Sequence, residues 1–197
     1  MIIYFSAMRV KDEIKQEALF SATVKVVNEI GFAASSVSKI AKEAGLSPAT
    51  IYIYHKNKDD LLVSTYKGIK QRFSRAMLEG FDAGRPVRDI LRQVWFNSFN
   101  YVTQHRDLFH FSEQFAHSPY SELVSKPEVN HYFDPLFKVL QRGIDQKIIK
   151  NVNMDILIAF IYFPMIVLSN ARLSENFSIT EENIDTAFTL AWDAVKL

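Results

Sequence analysis

The residues best suited to chemistry lie between positions 35 and 62, SSVSKIAKEAGLSPATIYIYHKNKDDLL. Within it, Ser47, Pro48, Ala49, Thr50, Tyr52, Ile53 and Tyr54 gather small, hydroxyl, apolar and aromatic side chains over two turns. That mixture suits recognition of a surface rather than bond-making. Hydroxyls exchange hydrogen bonds with phosphate oxygens or base edges, and small apolar groups meet thymine methyls. No nucleophile elbow, phosphate loop or metal-hydrolase motif accompanies the set.

The elements that hold these residues are written in their caps. Ser35 or Ser36 can accept a backbone N–H at a helix start, and Val37, Ile40, Ala41 and Ala44 then recur at helical spacing. Gly45 follows, the residue that most readily takes the left-handed conformation ending a helix, with Leu46 as an apolar plug. Ser47 is a second N-cap and Pro48 sits at the first helical position, where its missing N–H costs nothing. The pattern predicts helices over 37–44 and 48–54 joined by a tight turn. This is a helix-turn-helix, whose second helix enters the DNA major groove.

The segment from about Lys11 to Leu62 resembles the DNA-binding domain of the tetracycline-repressor (TetR) family of bacterial regulators. The resemblance rests on Ile30-Gly31-Phe32, on Val37-x-x-Ile40-Ala41-x-x-Ala44-Gly45-Leu46-Ser47, on Thr50-Ile51-Tyr52-x-Tyr54 and on Asn57-Lys58-x-x-Leu61-Leu62. Two positions depart from the family pattern: His55 follows the Tyr-x-Tyr, and Val27 stands where Phe is frequent. His55 either faces solvent or caps the recognition helix, where a cationic imidazole is favoured. With the resemblance, Pro48, Ala49, Thr50 and Ile53 are expected to face bases, with Ser38 a weak reader on the first helix. Ser36, Lys39, Tyr52, Tyr54 and Lys58 form the expected phosphate set, beside the backbone N–H groups at Ser47 and the helix starts. Arg is missing between Arg9 and Arg72, which removes the commonest guanine contact and leans the expected operator toward A·T.

The 197 residues, 48% of them hydrophobic, suffice for a substantial core, and the lack of Cys excludes disulfides and thiolate metal sites. A cytoplasmic location fits. Met1 to Ala7 is too short and lacks the basic start of a secretory signal, and Met8 offers an alternative start. Ile156 to Ser169 is shorter than the roughly 20 residues of a membrane span and contains Pro164. Net charge is +1, but residues 1–85 hold 13 Lys+Arg against 9 Asp+Glu and residues 86–197 hold 10 against 13. A basic head on an acidic body suits a phosphate-facing head.

Beyond the motif the periodicity predicts an all-α chain of about nine helices and no strands. A first helix over 11–30 has Ile14, Ala18, Ala22, Val26 and Ile30 at intervals of four; others are expected over 58–79, 87–105, 107–116, 128–147, 154–173 and 181–195. Residues 1–57 form the expected three-helix DNA-binding domain, and 58–197 the larger ligand-binding and dimerisation domain. The body is rich in aromatics, and the resemblance implies a cavity for a small apolar or aromatic effector there. Trp95, Phe99, Phe109, Phe133, Phe137, Tyr162 and Phe163 are its expected lining. His110, Glu113 and His117 share a helical face at i, i+3 and i+7, as polar pocket or surface groups, or as metal ligands, though no metal or cofactor is expected. Family members pair their last two helices, which makes Phe160, Val167, Ala171, Phe188, Ala191 and Val195 the expected homodimer face, with intrachain core as the competing role. The expected partners are palindromic double-stranded DNA, a second copy of the chain and a small molecule. The competing function is a helical protein-interaction module without DNA binding.

Overall fold

A computed structural model describes the backbone of residues 2–170 and 173–197 and the side chains of 12–170 and 173–197. Among the described residues the chain is helical with no strand beyond an isolated bridge between Ile149 and Lys196. Ten α-helices form: α1 Ile2–Ala34, α2 Val37–Glu43, α3 Pro48–Tyr54, α4 Lys58–Met77, α5 Val87–Gln104, α6 Arg106–Ala116, α7 Lys126–Asn130, α8 Asp134–Asp145, α9 Met154–Ser169 and α10 Glu181–Val195. Setting aside the single-turn α7 leaves the expected nine. The chain divides into two compact units, residues 1–70 with 106–126, and residues 71–105 with 127–197.

The first unit is built around the helix-turn-helix. Leu19, Ala22 and Val26 of α1 pack with Ile40 and Ala41 of α2, Ile51 of α3 and Leu61 of α4, and Val37, Ala44, Leu46 and Tyr54 close the edges. The expected α1 stripe at intervals of four is corrected here. Ile14 is 64% exposed and Ile30 43% exposed, because a strict four-residue repeat drifts about 40° per step around a 3.6-residue helix. The buried face instead follows Leu19, Ala22, Thr23, Val26 and Val27. Gly31 interrupts α1 with φ 77°, ψ 168°, close to the expected end at Ile30, whereas the N-terminal part runs back to Ile2 through a stretch free of Gly and Pro. The turn after α2 is closed by Gly45 at φ 66°, with Gly45 N–H on Lys42 C=O and Leu46 N–H on Ala41 C=O, the paired bonds of a Schellman end. Asn57 caps α4 by accepting from Asp60 N–H at 2.9 Å.

The second unit packs α10 on α9, with α5 against α8, α9 and α10. Trp95 and Phe188 meet edge to face at 5.8 Å, Trp95 and Phe99 lie 6.1 Å apart, and all three are buried. Phe73 stands among Tyr101, Phe133 and Tyr162 at 5.6, 6.2 and 6.1 Å. The single helix expected over 128–147 is split into α7, a 3-10 turn His131–Phe133 and α8. Pro135 explains the break: it has no N–H to donate and its ring crowds the carbonyl four residues back. A 3-10 turn at Pro119–Leu123, absent from the sequence expectation, follows α6.

Candidate nucleic-acid interface

The recognition helix α3 is fixed from one side and open on the other. Ile51 is fully buried in the head core, while Tyr52 is 56% and Ile53 76% exposed. Pro48 and Ala49 are exposed one turn earlier, so positions 48, 49, 52 and 53 share one outward face. Ile53 leaves apolar surface in water, and it is the kind of residue a partner surface would cover. The start of the helix is set by Ser47, whose Oγ accepts from Thr50 N–H at 3.2 Å and lies 2.9 Å from Thr50 Oγ1. Ser36 does the same for α2, accepting from Lys39 N–H at 3.3 Å. Ser36, expected as a phosphate contact, and Ser47, expected as the N-cap of α3, therefore both organise the helix starts.

The expected cations and tyrosines divide into free and engaged groups. Ser38 and Lys39 are exposed, and Lys39 Nζ donates to Ala34 C=O at 2.9 Å. Lys42 and Lys56 are exposed as well. Lys58 is half-buried: its Nζ donates to Phe32 C=O at 2.6 Å, just past the Gly31 kink, and lies 5.9 Å from the Tyr120 ring centroid. An ammonium has three donors, so this bond leaves two. Tyr54 is half-buried and donates its hydroxyl to Asp12, a hydrogen bond that raises the phenol above its ordinary value of 10, with burial and the Asp12 charge adding to it. His55 is the C-cap of α3, its ring mostly buried with Nδ1 3.3 Å from Asp60, so it does not face solvent. The Asp12 partner of Tyr54 and the Phe32 partner of Lys58 were invisible to local spacing, since 42 and 26 residues separate the pairs.

The residues expected to line an effector cavity fall in different units. Phe109, His110, Glu113 and His117 belong to the first, and Trp95, Phe99, Phe133, Phe137, Tyr162 and Phe163 to the second. Trp95 and Phe99 are core residues, although Trp95 Nε1 is buried without a hydrogen-bond partner. His110 and His117 are exposed, and the His110 ring lies 3.3 Å from Gln114 Nε2. Among the described residues no group of three or more His, Cys, Asp or Glu could hold a metal ion. The expected dimer face also divides. Phe160 and Val167 are 54% and 43% exposed, but Phe188, Ala191 and Val195 are buried inside the second unit, the competing role allowed for them. Ala171 lies outside the described residues. None of the helices is long and apolar enough to cross a membrane, among the described residues.

Two family models match the chain: "Bacterial regulatory proteins, tetR family" over residues 19–65, and "Tetracyclin repressor-like, C-terminal domain" over residues 86–196. The crystal structure of a TetR family transcription regulator from Marinobacter aquaeolei VT8 is 35% identical, with a TM-score of 0.86 over 95% of this chain and 98% of that one. The fatty acid metabolism regulator protein of Bacillus subtilis is 31% identical over 69% of this chain and 71% of its own. The structure of a transcriptional regulator FadR from Bacillus subtilis in complex with stearoyl-CoA shares the fold, at 22% identity and a TM-score of 0.68 over 89% of this chain and 95% of that one. These relatives are regulators, not enzymes, and the second model alone spans more than half of the sequence. The chain belongs to the tetracycline-repressor family of helix-turn-helix transcriptional regulators, ligand-responsive proteins that bind DNA.

Proposed function

We propose that this regulator acts as a homodimeric repressor in the cytoplasm, released from a palindromic operator by an amphiphilic effector with a long apolar part. The observation that carries the DNA half of this reading is the outward face of α3, where Pro48, Ala49, Tyr52 and Ile53 stand exposed around the buried Ile51. In that role Pro48, Ala49 and Ile53 meet thymine methyls and Thr50 reads a base edge. Ser38 is a weak base reader on α2, Lys39 and Tyr52, with the free donors of Lys58, touch phosphates, and the caps Ser36 and Ser47 aim backbone N–H groups. Residues 1–57 are the DNA-binding part and 58–197 the effector and pairing part in this reading.

One head covers too little DNA for tight specific binding, and a two-fold pair reading half-sites one helical turn apart supplies the rest. A pairing surface is supported by α9, where Ile156, Phe160, Phe163 and Val167 are 49, 54, 57 and 43% exposed at i, i+4, i+7 and i+11. On α10, Leu190 is 68% exposed, whereas Phe188, Ala191 and Val195 are buried. The effector class is supported by the relative named for fatty acid metabolism and by the stearoyl-CoA held by the structural neighbour. The effector must bind the DNA-free form more tightly, and by linkage DNA weakens effector binding by the same factor.

The test is selection of bound DNA from a random pool, followed by binding across a salt series. The expected result is a palindromic, A·T-leaning consensus whose affinity falls steeply with salt. A failure to enrich any sequence would overturn the DNA reading, and a consensus read mainly through G·C contacts would overturn the A·T preference.

A further inference from the structure

Helix α3 is short for a reading helix. It spans about 10 Å, and Ile51, at its middle, is its one buried side chain. A helix held at one point can tilt about that point. A tilt of about 10° around Ile51 carries either end through about 0.8 Å. Hydrogen bonds to base edges hold only within a window of about 0.5 Å, so such a tilt would spoil the reading of sequence. Ser47 fixes the start of α3 through Thr50 N–H. The end needs a fixing of its own.

Tyr54, the last residue of α3, supplies it. Its ring packs against the head core, and its hydroxyl donates to Asp12 Oδ1 on α1. Asp12 Oδ2 accepts from Gln16 Nε2, one turn further along α1, at 3.5 Å. Helix α1 also reaches the end of α2, where Lys25 Nζ donates to Glu43 Oε1 at 2.5 Å. That ion pair joins exposed side chains and holds α2 weakly. The Tyr54–Asp12 bond is charge-assisted and freezes fewer torsions, so it is the firmer of the two. A phenol has one O–H. While Tyr54 gives it to Asp12, none is left for a phosphate oxygen, which only accepts, and the Asp12 carboxylate repels a phosphate. The bond therefore acts on α3 rather than on the DNA backbone.

We propose that Asp12 is a positioning residue for DNA recognition: through the Tyr54 hydroxyl it fixes the tilt of α3, and so sets how well operator is told from other DNA. This deepens the reading of α3 as the DNA-reading helix and rests on it.

The experiment titrates the full chain with two duplexes of equal length, the sequence enriched from the random pool and a scrambled version of it. Tyr54→Phe and Asp12→Ala should each lower the ratio of operator to scrambled affinity about threefold to tenfold, the scale of one net hydrogen bond. The double variant should fall no further than either, because both changes remove the same bond. Asp12→Asn loses the charge and keeps an oxygen acceptor. It should bind both duplexes more tightly and hold the wild-type ratio within about twofold, which a loss of general stability would not do. Urea midpoints of the same proteins should drop in the two single variants and no further in the double, which detects the bond without DNA. An equal loss on both duplexes in Tyr54→Phe makes the hydroxyl a phosphate contact and overturns the inference. An Asp12→Ala ratio like that of wild type, or losses that add in the double variant, overturns it as well. Coupled midpoints in a chain that enriches no sequence from the pool would sink the DNA reading of α3 and leave the Asp12–Tyr54 tether standing.

Discussion

Replacing Lys70 with methionine should stabilise the protein, and the gain should depend on pH in a way that identifies its cause. In the unfolded chain this lysine titrates near 10.5, and in the fold burial brings it to about 8. At 1.36 kcal/mol per pH unit, a drop of that size costs about 3 kcal/mol of stability wherever both states are protonated. Below pH 8 the whole cost is present. Between pH 8 and 10.5 the folded lysine sheds its proton while the unfolded one keeps it, so the unfolded state binds more protons and stability rises with pH. Above 10.5 both forms are neutral and the cost is gone. Methionine has similar length, no charge and enough flexibility to fill the same space. Urea denaturation of wild type and Lys70→Met at equal concentration, from pH 7 to pH 10, reads the difference directly. The variant should be about 2–3 kcal/mol more stable at pH 7, and the advantage should shrink to under about 1 kcal/mol at pH 10. Tyr66, raised by burial, also titrates above this range, but it does so in both proteins and leaves the difference largely unaffected. A difference that stays constant from pH 7 to pH 10 would refute the desolvated cation, because a simple packing gain has no proton to release.

Three further outcomes follow from the geometry. Ser47→Ala removes the acceptor for Thr50 N–H and should lower stability by about 1 kcal/mol, visible as a lower urea midpoint, and weaken DNA binding because the reading helix loses its fixed start. Gly143→Ala gains helix propensity worth about 1 kcal/mol, but its Cβ would lie 2.6 Å from Ile149 Cδ1 and 3.2 Å from Val87 Cγ1, both buried. Overpacking of that kind costs about 1–3 kcal/mol, so the clash should win and thermal denaturation should show a loss; a stabilised variant would show that Ile149 can swing aside. Lys58→Ala loses the bond to Phe32 C=O, with an expected cost of about 1 kcal/mol. It should weaken binding to every DNA sequence alike and lower the salt slope by about one, and an unchanged slope would leave Lys58 a purely structural residue.

The helix-turn-helix was legible because everything that fixes it is local. Ser36, Gly45, Ser47 and Pro48 act within four residues of the groups they satisfy, so residue type and spacing carry the information, and α3 appears at Pro48–Tyr54 as expected. Helix α10 was legible for the same reason, with Thr180 accepting from Asn183 N–H at its start. Where an expectation drifted, the cause was a competing rule of comparable reach. A four-residue repeat misplaced the α1 face because it ignores the drift of about 40° per step, and an apolar pattern over 128–147 concealed the break that Pro135 enforces.

The roles of individual polar groups were much harder to read, and the reason is distance along the chain. Tyr54 and Lys58 sit at positions where a phosphate contact is a natural reading, yet each has an intrachain partner 42 or 26 residues earlier. No periodicity connects such pairs; only the packing of α1 against the head brings Asp12 and Phe32 within reach. The aromatic body shows the same limit in another form. Phe188 and Phe160 are equivalent as letters, both apolar and both at helical spacing, but one is 1% exposed and the other 54%. Which stripe is spent inside the chain depends on how α5, α9 and α10 stack, a property of three helices that none of them encodes alone. Lys70 follows from this argument as well. In sequence it is one of five cations on α4, where a solvated lysine is the default. Its difference arises only when α6 sets Phe115 against Tyr66 and the ammonium is left above the ring without a counter-ion.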